Sequence, residues 1–173
     1  RFVEVRSETF GQVVSEPLRK GSFVKKNDIL CRLDEGTRKT ALADAAAKLE
    51  EAKALIPQTE AKLDEANSRL EEAKINFNAA TKLSQGGYAS ETRVASAEAA
   101  IRSAEAGVAT ATAGFESTRA RIQSAEAGVA AAEKEIERLI IKAPFEGTLE
   151  SDTAEIGSLL QPGALCGTII QLN

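Results

Sequence analysis

The chain has 173 residues, a formal charge of −4, 43% hydrophobic residues and only 4% aromatic ones, with no His, Met or Trp. The negative balance and the lack of a basic stripe give no electrostatic reason to expect nucleic acid as a partner, and no apolar run approaches the ~20 residues that cross a bilayer. So few aromatics predict an elongated chain with a small core rather than a globule.

Residues 1–34 alternate in the manner of strands, at Phe2–Arg6, Gln12–Val14 and Ile29–Leu33, with Asn27-Asp28 as a turn. The chain opens at Arg1 inside such a pattern, without Met, and reads as a piece of a longer protein. Cys31 and Cys166 both lie in short apolar runs. With no His nearby they match no zinc or thiol–His pattern, and they read as two small core residues rather than a disulfide.

Residues 35–138 carry a seven-residue repeat. Leu42, Leu49, Ile56, Leu63, Leu70 and Phe77 form one stripe, with Ala45, Ala52, Thr59, Ala66, Ala73 and Ala80 three residues after each. Val94, Ile101, Val108, Phe115, Ile122, Val129 and Ile136 form a second, with Ala97, Ala104, Ala111, Thr118, Ala125, Ala132 and Leu139 at the same spacing. Alternating threes and fours put each set on one narrow helix face, the seam of a left-handed coiled coil. Ser84-Gln85-Gly86-Gly87-Tyr88-Ala89-Ser90 breaks the helix between them, so the segment folds back as an antiparallel hairpin. At ~1.5 Å per residue, helices of nearly fifty residues make a rod of about 70 Å. Pro57 should cost a hydrogen bond and bend the first helix. Gly107, Gly114 and Gly128 weaken the second, and allow close approach by the partner helix or a neighbouring molecule. Alanines outside the seam, such as Ala99, Ala109 and Ala113, serve helix propensity or a second packing face.

Residues 139–173 return to strand character and repeat the first segment. An ungapped shift of 136 places Gly11 on Gly147, Ser15 on Ser151, Gly21 on Gly157 and Ser22 on Ser158. The same shift matches Val5 with Ile141, Val13 with Leu149 and Val24 with Leu160, and sets Asn27 on Gly163, two residues that tolerate a left-handed turn. A half of about thirty residues cannot bury a core alone. Two halves can close as a pseudo-two-fold β-sandwich with the hairpin inserted between them.

These halves resemble the lipoyl/biotinyl-type domain. The likeness rests on Gly11-Gln12-Val13, on the run Lys20 to Leu30, and on Ala143-Pro144-Phe145-Glu146-Gly147 followed by Pro162-Gly163. A lipoyl-like sandwich interrupted by a long coiled-coil hairpin resembles the periplasmic adaptor, or membrane fusion protein, family of tripartite efflux pumps. The resemblance implies an α+β fold and a periplasmic protein held to the inner membrane by a segment outside this sequence. It implies a ring, usually of six, that joins an inner-membrane transporter to an outer-membrane exit duct. It also implies that the hairpin tip docks on the duct, through Lys82, Leu83, Ser84, Gln85, Tyr88, Ser90 and Arg93. Tips of the resistance-nodulation-division type carry an Arg, a Leu four residues later and a Ser seven after that. Leu83 and Ser90 fit, but Ala79 stands at the Arg position, and Lys82 or Arg93 would have to replace it.

Alternatives are an adaptor of an ABC-type exporter or type I secretion system, which often has a longer hairpin, and a structural coiled-coil spacer. A swinging-arm carrier would need a modified Lys at the junction of the halves. Lys39 lies there without the flanking pattern, and the inserted hairpin removes the exposed turn. No cofactor and no enzyme activity are expected, since no catalytic constellation is present. Leu83 has a second reading, as a lid that closes the hairpin over Tyr88. Ser90 reads as the N-cap of the second helix.

Overall fold

A computed structural model describes residues 1–171. Strands β1 (Phe2–Arg6), β2 (Gly11–Gln12), β3 (Phe23–Val24) and β4 (Ile29–Arg32) precede three helices, α1 (Arg38–Ala54), α2 (Ile56–Gln85) and α3 (Glu91–Glu137). Strands β5 (Ile140–Lys142), β6 (Gly147–Leu149), β7 (Leu159–Leu160) and β8 (Leu165–Ile170) follow. The fold is α+β, an antiparallel lipoyl-like β-sandwich built from both chain ends and interrupted by a helical hairpin. The chain divides into two compact units, one of Arg1–Ala46 with Ala127–Asn173 and one of Ala47–Glu126.

In the β unit one sheet runs β1-β8-β6-β3, while β2 pairs with β7 and β4 with β5. Val13 bridges to Leu33, which joins these last two ladders edge to edge. The 136-residue shift predicts the hydrogen bonding in detail. Gly11 pairs with Leu160 and Gln12 with Leu159, and the shifted pairs are Gly147 with Val24 and Thr148 with Phe23. Glu4 opposite Thr168 recurs as Arg32 opposite Ile140, and a register irregularity follows at the same step of both ladders. The Ser15 hydroxyl accepts the Arg32 N–H at 2.9 Å, and the Ser151 hydroxyl accepts the Thr168 N–H at 3.2 Å. Inward residues of both halves share one core, with Leu30, Leu33, Leu139, Leu149 and Ile169 at its centre. Gly147 must lack a side chain, because a Cβ there would stand 2.5 Å from the Ile170 carbonyl oxygen.

One expectation is overturned. Cys31 and Cys166 are both buried, but they are joined as a disulfide with Cα atoms 6.3 Å apart. The shift puts Cys31 onto Gly167 (31 + 136), the residue next to Cys166, so the pseudo-two-fold arrangement brings the two cysteines face to face. A linear reading of two separate apolar runs does not reveal that closeness.

The helices follow the seam. Within α3, among the described residues, every stripe position from Val94 to Ile136 is buried or half-buried, and Glu135 is the one other residue that is not exposed. In α1 and α2 the stripe from Leu42 to Ala80 is likewise covered, with Ala52, Ala73 and Ala80 buried. Pro57 does more than bend its helix. It lies in the first turn of α2, and Leu55 interrupts the helix at φ −81°, ψ −14°. A proline has no N–H for the carbonyl four residues back, so the ladder restarts there. The Thr59 hydroxyl donates to the Leu55 and Ile56 carbonyls at 3.2 and 2.9 Å, bracing the restart.

The glycines of α3 do not serve close approach of the partner helix. A Cβ at Gly107, Gly114 or Gly128 would meet nothing within 4 Å. Gly107 and Gly114 instead share an open groove with Ala100, Ser103 and Thr110 of α3 and with Lys62, Glu65, Arg69 and Glu72 of α2.

Within the β unit, the loop between β1 and β2 bolts down both helix roots. Buried Thr9 donates to Glu135 at 3.0 Å and accepts from Arg38 at 3.0 Å. Arg38 also donates to the Phe10 carbonyl. Arg138 donates to Glu135 at 2.5 Å and to Glu8 at 3.2 Å. The Arg138 bond, then that from Thr9, holds the Glu135 carboxyl below the usual carboxylate range.

Candidate docking site at the hairpin tip

The tip is shaped by where α2 runs out of helix-forming residues. Gly86 ends α2, and its N–H reaches the Lys82 carbonyl at 3.2 Å. Gly87 takes φ 79°, a left-handed conformation that glycine adopts without cost, and its N–H bonds the Ser84 carbonyl at 3.0 Å. Tyr88 N–H then donates to the Leu83 carbonyl at 2.7 Å, which turns the chain back. Ser90 precedes α3, and its hydroxyl accepts the Arg93 N–H at 3.3 Å in the manner of an N-cap. That bond uses the oxygen as acceptor, so the Ser90 hydroxyl keeps its proton to donate.

Leu83 does not close the hairpin over Tyr88. Tyr88 is 83% exposed, and Leu83 is 38% exposed. The tyrosine ring lies instead along the Gly86 backbone, 3.1 Å from where a Cβ would be. Two apolar side chains therefore stand at the reversal, tied through their backbones. Lys82, Gln85, Ser90 and Arg93 are exposed around them, and Ser84 is half-buried. Neither Lys82 nor Arg93 has an ion pair among the described residues. Between Ala73 and Ala97 the charges are Lys74, Lys82, Glu91 and Arg93, a local +2 on a chain of −4. The tip offers apolar area, hydrogen-bond donors and positive charge, and no group arranged for bond-making chemistry.

Among the described residues no group of His, Cys, Asp and Glu could hold a metal ion. No helix among them is long and apolar enough to cross a membrane.

No family model and no curated protein matches the sequence. Solved structures do match. MacA from Actinobacillus actinomycetemcomitans superposes with a TM-score of 0.67 at 22% identity, over 95% of this chain and 51% of that one. A putative efflux transporter from Bacteroides eggerthii gives 0.61 at 16% identity, over 99% of this chain and 40% of that one. The periplasmic adaptor protein EmrA gives 0.55 at 18% identity, over 99% of this chain and 72% of that one. The chain thus spans two fifths to about half of the first two and most of the third. At these identities it is the fold that is shared, and this chain has the fold of the membrane fusion, or periplasmic adaptor, proteins.

Proposed function

We propose that the chain is the hairpin-bearing part of a periplasmic adaptor, one that links an inner-membrane transporter to an outer-membrane exit duct. The observation that carries this reading is the likeness to adaptor structures over nearly the whole of this chain, β unit and hairpin together. The role is structural rather than enzymatic, and it is played in the periplasm. Copies associate as a ring, of six by family resemblance. The hairpin tip docks on the duct through Leu83 and Tyr88, with Lys82, Ser84, Gln85, Ser90 and Arg93 around them. Burying one leucine side chain is worth about 1.5–3 kcal/mol, and a ring multiplies such weak contacts through avidity.

The exported material defines two versions. In the first, Leu83 and Ser90 keep the spacing of resistance-nodulation-division tips, and the cargo is a small drug-like molecule. In the second, the partner is an ABC-type exporter or type I secretion system. The 47-residue length of α3 and Ala79 at the arginine position favour that version.

The test is Leu83→Asp in the full-length protein, expressed in cells that depend on it for export. Export should collapse, while circular dichroism and the oligomer mass stay unchanged. Normal export by the folded variant would remove the tip from the docking role, and comparing drug with secreted-protein export separates the two versions.

A further inference from the structure

Cys31 and Cys166 are the two cysteines of the chain. They are bonded inside the core, 0% and 1% exposed, and 135 residues apart in sequence. The whole hairpin lies between them. Among the described residues, four of the five strand ladders join one half to the other (β1–β8, β2–β7, β3–β6 and β4–β5). Only β6–β8 lies within a single half. When the halves part, the second keeps only the β6–β8 ladder and the first only the single Val13–Leu33 bridge.

We propose that the Cys31–Cys166 bond is a compartment-dependent lock on the β unit. With free thiols the two halves close and part reversibly, and oxidation fixes them closed. The oxidant is a disulfide, small or protein-borne. One cysteine thiolate attacks a sulfur of that disulfide and forms a mixed disulfide, releasing the first oxidant thiol. The second thiolate attacks the protein's sulfur in the mixed bond, and the other oxidant thiol leaves. One S–S bond is made and one broken. Two electrons pass to the oxidant, and the two protons lost by the cysteines end on its thiols. Two cysteines allow one pairing, so no reshuffling step is required.

Burial makes the lock directional. A reducing thiolate must reach a sulfur along the S–S axis, and neither sulfur is accessible while the unit is closed. In a reducing compartment the bond does not accumulate and the chain stays openable. In an oxidising one it closes and persists. The bland alternative is that two buried sulfurs merely fill core volume, as free cysteines do.

Hydrogen exchange on the full chain distinguishes the two. The Val13, Leu33 and Leu149 amides, bonded across the halves to Ser158, Leu139 and Ser22, report on the β unit. Val108 in α3 reports on the helical unit, which contains no cysteine. Oxidised chain, chain reduced in denaturant and refolded without air, and Cys31→Ala/Cys166→Ala are compared. The lock requires exchange at the three β amides to be about tenfold faster or more without the bond, with Val108 unchanged. It also requires the native bond to resist dithiothreitol until urea opens the unit. Equal exchange in oxidised and reduced chain, or reduction in native buffer as fast as in urea, would overturn the proposal. If the double alanine variant does not fold, the refolded reduced chain decides.

Discussion

Asn27 and Gly163, 136 residues apart, turn the backbone the same way, with φ of 73° and 88°. Each also gives its N–H to the opposite half at 2.8 Å, Asn27 to the Ala143 carbonyl and Gly163 to the Ser7 carbonyl. A left-handed residue with a Cβ costs about 1–2 kcal/mol, and asparagine is among the few that adopt it readily. Asn27→Gly should therefore be close to neutral, and Asn27→Val should lose about 1–2 kcal/mol in urea denaturation. A neutral valine would mean that the turn relaxes to another conformation.

The seam makes a sharper contrast. Leu63 is half-buried on the stripe, whereas Glu71 lies exposed on α2. Truncating a leucine in a compact core costs about 2–5 kcal/mol, and a two-helix packing relaxes more easily, so Leu63→Ala should lose about 1–2 kcal/mol. Glu71→Ala should leave the thermal midpoint within a degree or so. Equal effects would show that the packed face has been misplaced.

Gly107 and Gly114 offer the opposite sign. Both lie within α3, and a Cβ at either meets open space. Alanine should raise helix stability by about 0.5–1 kcal/mol at each position, read as a higher melting temperature at 222 nm. A loss of stability would reveal a contact along this side of α3 in the molecule in solution.

The helix roots should loosen in acid. Glu135 has its carboxyl pKa lowered by the bond from Arg138 first and by that from Thr9 second. Its contribution is present above the unfolded-state carboxylate pKa and is lost as pH falls through the lower folded-state value. Exchange at amides of the loop from Ser7 to Phe10 should rise across that acid range, and Glu135→Gln should show the rise already at neutral pH. The change should be small, because the Glu135 side chain is 40% exposed. A pH-independent loop would assign its rigidity to packing alone.

Much of this architecture was legible in the residues. The seven-residue stripes locate the buried faces of all three helices, because burial on a two-helix seam has one geometric solution. The shift that lays Gly11 on Gly147 finds the repeat, since glycine is required where backbone or core crowds its Cα, and Gly147 meets the Ile170 carbonyl. What escaped depends on closeness in space without periodicity. Cys31 and Cys166 meet across a pseudo-two-fold axis that no local pattern marks. Thr9, Arg38 and Glu135 look like ordinary surface residues until the loop lies over the helix roots. At the tip, Gly86-Gly87 announces the reversal, but the outward placement of Tyr88 follows from backbone bonds that only the folded turn displays.

The repeat gives the β unit two equivalent ports. Through one, just beyond Arg32 and Ile140, the chain leaves for the helices and returns. Through the other, just beyond Glu4 and Thr168, it continues to Arg1 and Gln171, each of which donates its backbone nitrogen to the other's carbonyl, at 2.9 and 2.8 Å. Strands at both ports are antiparallel neighbours, so either can accept any segment whose own two ends meet, without disturbing the ladder behind it. The sandwich is in this sense a two-socket connector: lengthening, shortening or replacing what is plugged into one socket leaves the geometry of the other intact.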